Sequence, residues 1–191
     1  MRDYTVLIQA APDKAIVYVY RGWIQNRLEN YRLAETDLMY ALQHGYREPF
    51  VYLSLAHSLA AQDQIDQALK INNEMFSLSQ GEARAFMEAY FQRGDFLLRK
   101  KHYDRARSFY EKGIVVATKL GLRTELSRTL ADLRKALEGD AEMRQGGKDI
   151  LRLLEGSVAH VQSNPLYDEP SACELESPAS MANERGIPNN F

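Results

Sequence analysis

Apolar side chains recur along this chain at intervals of three and four. Tyr31, Ala34, Leu38 and Ala41 step by 3, 4 and 3, and Leu126, Leu130, Leu133 and Leu137 by 4, 3 and 4. Tyr103, Ala106, Tyr110 and Ile114 hold one face in the same way. A period near 3.6 puts such positions on one side of an α-helix, and no strand-like alternation of useful length competes with it. Stop signals separate the runs. Gly45, Gly81 and Gly121 stand where a helix ends in left-handed backbone, which glycine enters without a Cβ clash. Pro49, the single proline within residues 13–138, suits the first turn of a helix, where its missing N–H has no partner to lose. The pattern predicts an all-α protein.

The helices repeat. Tyr18, Gly22, Tyr31, Ala34 and Ala41 form one register, and 34 residues later stand Tyr52, Ala56, Ile65, Ala68 and Met75. A further 38 residues on come Tyr90, Gly94, Tyr103, Ala106 and Gly113. A small residue at one crossing point lets two helix backbones approach, and larger neighbours fill the flanking space. The four extra residues of the last step fall between Met75 and Tyr90, in the Ser77–Arg84 connection or as one added helical turn.

A helix–turn–helix unit of this length and spacing resembles the tetratricopeptide repeat (TPR). Arg21-Gly22, Leu28-Glu29-Asn30-Tyr31 and Ala34 carry the likeness in the first unit, and Arg93-Gly94, Tyr103, Ala106 and Tyr110 in the third. The middle unit departs from it: Ile65 replaces an aromatic, and Asn72 stands where a buried aromatic is usual. The proline that often closes a repeat occurs only at Pro12, after Tyr4 and Leu7–Ala11. Residues 1–12 are therefore expected to be a partial repeat, its second helix alone. Residues 13–138 should hold three repeats and a capping helix along the Leu126–Leu137 stripe, since the end of a stack needs a polar outer face. Residues 139–156 should form a linker with Gly146-Gly147 as a hinge and a short amphipathic helix, Lys148–Glu155.

The resemblance implies a right-handed superhelix of antiparallel helix pairs, with first helices lining a concave groove. The groove positions it assigns are Val19, Trp23, Asn26 and Arg27 in the first unit, Leu53 and His57 in the second, and Phe91, Asp95 and Arg99 in the third. Trp23 would anchor a ligand, because a buried aromatic concentrates binding energy. Ile16, Phe50 and Leu98 also fall on groove positions and read as packing residues. The Lys/Asn clamp by which some relatives grip a terminal carboxylate is replaced here by Val19 and Trp23. The implied groove is apolar with charged edges, and the implied function is a non-catalytic interaction module or scaffold. Its partner would be another protein, supplying an amphipathic helix or an extended apolar segment. In cis, Ile150–Leu154 is a candidate occupant. The alternative is structural: the half-repeat stacks on a longer array or forms a homodimer. A small-ligand sensor or enzyme is a third reading.

Composition changes this picture at one end. Four of six prolines lie in the last 35 residues, which hold Asp168, Glu169, Glu174, Glu176 and Glu184 against Arg185 alone. Residues 157–191 therefore read as a disordered acidic tail. The whole chain, 191 residues with net charge −2, gives no electrostatic case for nucleic acid or an anionic membrane. No apolar stretch approaches a membrane span, and a single cysteine, Cys173, with no secretory leader points to a reduced, cytoplasmic setting. His44, His57, His102 and His160 lack metal-ligand spacing. Gly147-Lys148 lacks the upstream glycine and following Ser/Thr of a phosphate loop, so no cofactor is expected. A basic cluster, Arg99-Lys100-Lys101-His102 with Arg105 and Arg107, reads first as a solvated helix end, second as an acidic-ligand contact, third as a partner of the tail. Asn164-Pro165-Leu166-Tyr167 is similar to an NPxY tyrosine motif.

Overall fold

The structure is a computed structural model that describes residues 2–11, 13–78 and 83–163. Ten helices account for the regular structure among these residues: α1 (Arg2–Ala10), α2 (Ala15–Arg27), α3 (Tyr31–Gln43), α4 (Pro49–Ala61), α5 (Ile65–Leu78), α6 (Ala83–Arg99), α7 (Tyr103–Leu120), α8 (Arg123–Glu138), α9 (Ala141–Gly146) and α10 (Lys148–Gln162). The most extensive packing is within the pairs α2/α3, α4/α5 and α6/α7. Successive pairs join through α3/α4 and α5/α6, while α2, α4 and α6 lie side by side as a row of first helices. No described helix is long and apolar enough to cross a membrane.

Each hairpin closes on the same turn. Glu29, Asp63 and Lys101, at equivalent register positions, have φ of 59°, 63° and 60°. The residue after each returns a backbone N–H to the carbonyl five residues back: Asn30 to Gln25, Gln64 to Leu59, His102 to Leu97, all at 2.9 Å. The glycine stops work as expected at Gly45 (φ 84°) and Gly121 (φ 69°). Gly81 and Pro12 lie outside the described residues.

Packing inside the hairpins alternates size. A Cβ built on Gly22 would lie 2.9 Å from the Leu38 side chain, and one built on Gly94 would lie 2.7 Å from the Tyr110 ring. Gly113 on α7 reverses the roles, with the Phe91 ring of α6 2.6 Å from where its Cβ would be. Asn72, standing where Leu38 and Tyr110 stand, is fully buried opposite Ala56. Its amide donates to the Ala89 carbonyl and to Gln92 Oε1, both at 3.1 Å. The departure at Asn72 is thus a polar tie to the next hairpin. Arg21 and Asp37 link α2 to α3 through two hydrogen bonds of 2.7 and 2.6 Å.

The four extra residues become one helical turn at the start of α6, which begins seven residues before Tyr90 where α4 begins three before Tyr52. That turn places Phe86 against Phe76 of α5 (ring centroids 5.9 Å apart) and Arg84 in an ion pair with Glu125 of α8.

Three expectations about the C-terminal region are corrected. α8 is not a lone cap: α10 packs along both α8 and α7, burying Ile150, Leu154 and Val161 with Leu126, Leu130, Leu133 and Leu137. Ile150–Leu154 is therefore committed to this core and does not occupy a groove. The helix also runs to Gln162, past residue 156, because Val158 and Val161 extend its apolar stripe, so residues 157–162 are helical rather than tail. Gly146-Gly147 is no hinge. A Cβ on Gly146 would meet the Tyr103 ring at 2.4 Å and one on Gly147 would meet Leu137 at 2.8 Å, so both glycines serve close approach. The remainder of the tail, with Cys173 and the Asn164-Pro165-Leu166-Tyr167 motif, lies outside the described residues.

Two glycines make opposite forecasts. Gly94→Ala should lower unfolding free energy by about 1–3 kcal/mol, because the packed Tyr110 ring has little room to retreat. Gly156, on an open face of α10 with nothing near its missing Cβ, should gain about 0.5–1 kcal/mol on replacement by Ala. Urea unfolding of the two variants measures both.

Candidate functional site

The row α2, α4, α6 presents one helix face that is not consumed by hairpin packing, and α8 meets its α6 end through the Arg84–Glu125 ion pair. Register assigns that face: Trp23, His57 and Asp95 are equivalent, as are Arg27, Ala61 and Arg99. Of the expected groove residues, Arg27, His57 and Arg99 are exposed, and Trp23, Asn26 and Asp95 are partly buried. Val19, Leu53 and Phe91 are 1%, 9% and 6% exposed, which corrects their placement as an accessible lining. The reason is visible at Phe91: its ring fills the notch at Gly113, so this register position points into its own hairpin. Leu98 is likewise core, while Ile16 and Phe50 are half-buried. The available face is thus polar and charged, with Trp23 its large aromatic, rather than apolar.

Side chain to backbone bonds hold this face rigidly. Asn26 donates to the Ser54 carbonyl at 2.9 Å and accepts from the Ser58 hydroxyl at 2.7 Å, tying α2 to α4. From the other side Gln92 donates to the Leu53 carbonyl and Arg99 to the Ala60 carbonyl, each at 2.9 Å, tying α6 to α4. The Arg27 guanidinium lies over the Trp23 ring, 5.3 Å from its centroid. His57 meets Tyr31 edge-on at 5.9 Å.

Charge is distributed unevenly. Arg27 and Arg99 lie at the C-terminal ends of α2 and α6 with His57 one turn earlier on α4, while Glu88 and Asp95 of α6 lie near Glu125 and Asp132 of α8. Asp95 accepts a hydrogen bond from the Tyr110 hydroxyl. Loss of water around the Asp95 carboxyl pushes its pKa up to about 6, against the opposing pull of the Tyr110 bond and the Arg99 charge, with Asp132 adding to the rise. The same desolvation raises Glu88, offset in part by Arg84. His57 is lowered, first by desolvation and then by Arg99. His57 and Glu88 are exposed to solvent, and the nearby protein removes part of the bulk water around their charged forms.

Sequence reasoning missed Gln92, Arg84, Glu125 and Asp132. Glu125 and Asp132 stand seven apart, off the leucine stripe of α8, so periodicity already placed them on one face; that this face meets α6 was the missing step. The basic cluster resolves into helix-end chemistry. Lys100 pairs with Asp66, Lys101 with Glu142 and Arg107 with Glu111, leaving Arg99 turned to the first-helix face.

No protein-family model and no curated protein matches the chain. Among solved structures it is similar to YrrB, described as a TPR protein with an unusual peptide-binding site. The TM-score is 0.53 at 17% identity, covering 86% of this chain and 77% of that one. The likeness is one of fold: an all-α helical repeat solenoid of the kind the 34-residue register implies.

Asp95 gives the face a pH signature. Its folded-state pKa lies above the unfolded value, so the native state takes up a proton first as pH falls through about 6. Stability from this group therefore rises between about 6 and the unfolded carboxylate range near 4, and is lowest above 7. Asp95→Asn keeps an acceptor for Tyr110 and should raise the unfolding free energy at pH 8 by about 1–2 kcal/mol. Chemical unfolding at pH 8 and pH 4 should show that gain shrinking toward zero at the lower pH.

Proposed function

We propose that this protein is a non-catalytic interaction module whose row of first helices binds an extended peptide of another protein. The observation that carries the reading is the face from Trp23 to Asp95, held by four side-chain bonds to α4 and exposing Arg27, His57 and Arg99. Fixed polar groups bind at low entropic cost, and donors or acceptors in a hollow gain more per contact than on an open surface. The fold supports the same reading, since YrrB, which shares it, is described as having a peptide-binding site. With Val19, Leu53 and Phe91 in the core, the ligand need not be a long apolar helix. An extended segment that stacks one side chain on Trp23 and lays polar groups along His57 and Asn26 fits better.

Selection of binders from a random peptide library on the folded protein tests this. Peptides recovered with wild type should lose at least tenfold in affinity on Trp23→Ala with His57→Ala, two positions outside the core, while thermal unfolding is unchanged. Peptides that bind wild type and double variant equally would place the interaction elsewhere and remove this reading.

A further inference from the structure

Arg27 and Arg99 stand out among the cations of the first-helix face. Lys100, Lys101 and Arg107 are each engaged by a carboxylate, whereas Arg27 rests on the Trp23 ring and Arg99 donates to a backbone carbonyl. His57 lies between them on α4. Arg27 and Arg99 are thus two exposed cations at the C-terminal ends of α2 and α6, one turn beyond the level of Trp23, His57 and Asp95.

The chain itself carries the complementary charge. Residues 164–191 hold five acids against one base, −4, with Asp168-Glu169 and Glu174 and Glu176 in two pairs. First-helix axes in such packing are ~9 Å apart, so Arg27 and Arg99, two helices apart, are separated by about 18–20 Å. An extended chain rises ~3.3 Å per residue, so the step from Glu169 to Glu174 or Glu176 covers roughly 17–23 Å. The two acid pairs thus match the two arginines. The segment starts at the end of α10, so Asp168-Glu169, five and six residues beyond Ser163, can reach roughly 17–20 Å from it, and Glu176, thirteen beyond, roughly 43 Å.

We propose that the acidic segment 164–191 docks in cis across Arg27 and Arg99, passing His57, covering Trp23 and competing with the peptide ligand proposed above for the same face. Asp95, Glu88 and Asp132 repel the segment from the deeper half and fix it at the C-terminal ends of the first helices. Loss of water and, second to it, the Arg99 charge lower the His57 pKa in the helical array alone, and a docked carboxylate beside the ring opposes the Arg99 part of that shift.

Trp23 is the only tryptophan, so its emission reports the site directly. The test uses full-length protein and a full-length variant with Asp168→Asn, Glu169→Gln, Glu174→Gln and Glu176→Gln, changes that lie outside the helical array. At low salt the two should differ in Trp23 emission, and His57, followed by NMR, should titrate ~0.5 pH higher in wild type. About 0.5 M salt should bring the wild-type emission to that of the variant. Because Arg27 and Arg99 also act directly on Trp23 and His57, the arginine variant Arg27→Gln with Arg99→Gln is compared with itself: neutralising the four tail acids in that background should leave its emission unchanged. Identical emission and identical His57 titration in wild type and tail variant would overturn the proposal, as would a difference that grows with protein concentration, which means docking between copies. The peptide selection above, repeated on the tail-neutralised variant, separates the two ideas. Trp23-dependent binders with no tail effect sink only this proposal. A tail effect without any such binders sinks only the earlier reading.

Discussion

Everything in this array depends on how closely the two helices of a hairpin approach. At Gly22 and Gly94 the first helix offers no side chain, and Leu38 and Tyr110 of the second helix occupy the space. At Phe91 and Gly113 the exchange runs the other way. Two exchanges of opposite sense along one interface fix both separation and sliding register, because moving either helix by one turn would set ring against ring. Interiors packed to crystal-like density do not absorb such a mismatch cheaply. The repeat is therefore a repeat of volumes more than of residues, and Ala56 with Asn72 satisfies it as well as Gly94 with Tyr110 does.

Between hairpins the determinant changes from volume to polarity. α4 is buried nearly all round and would tolerate many orientations if apolar contact alone held it. Asn26, Gln92 and Arg99 reach its backbone carbonyls from both sides, and Asn72 reaches the Ala89 carbonyl of α6. Hydrogen bonds to defined carbonyls have a narrow geometric tolerance, so they select one stacking among several of similar apolar area. This is why α4 shows little amphipathic pattern and yet has a definite place.

Legibility followed the same division. Helix type, hairpin register, the left-handed stops and the added four residues all rest on local spacing, and spacing is written in the chain. What periodicity could not supply was which neighbour each face meets. Val19, Leu53 and Phe91 each lie one turn before the position of Trp23, His57 and Asp95 on their own helices, and the notch at Gly113 is what shows that this position turns inward. The pairing of α8 with α10 was hidden in the same way. A leucine stripe and a short amphipathic helix look alike whether they seal a stack together or stay apart, and the small residues at Gly146-Gly147 served contact, where sequence alone suggested motion. Asn72, which looked like decay of the repeat, is the clearest polar tie between hairpins.

The tight hairpin and the charged face meet at one side chain. Tyr110 fills the space that Gly94 leaves, and its hydroxyl is the donor that holds Asp95 on the first-helix face. Without that bond the Asp95 carboxyl would be a poorly solvated acid beside Asp132, and loss of water would drive it further toward the neutral form. Leu38, at the equivalent place in the first hairpin, has no hydroxyl to offer, and the position equivalent to Asp95 there is Trp23, which needs none. Asn72 spends its amide on α6 instead, and the residue across from it on the first-helix face is His57, held toward its neutral form. In the third hairpin the polarity of the first helix at this position thus rests on what its partner helix donates through the close contact. The chemistry of the face is set from behind, by the same contacts that set the fold.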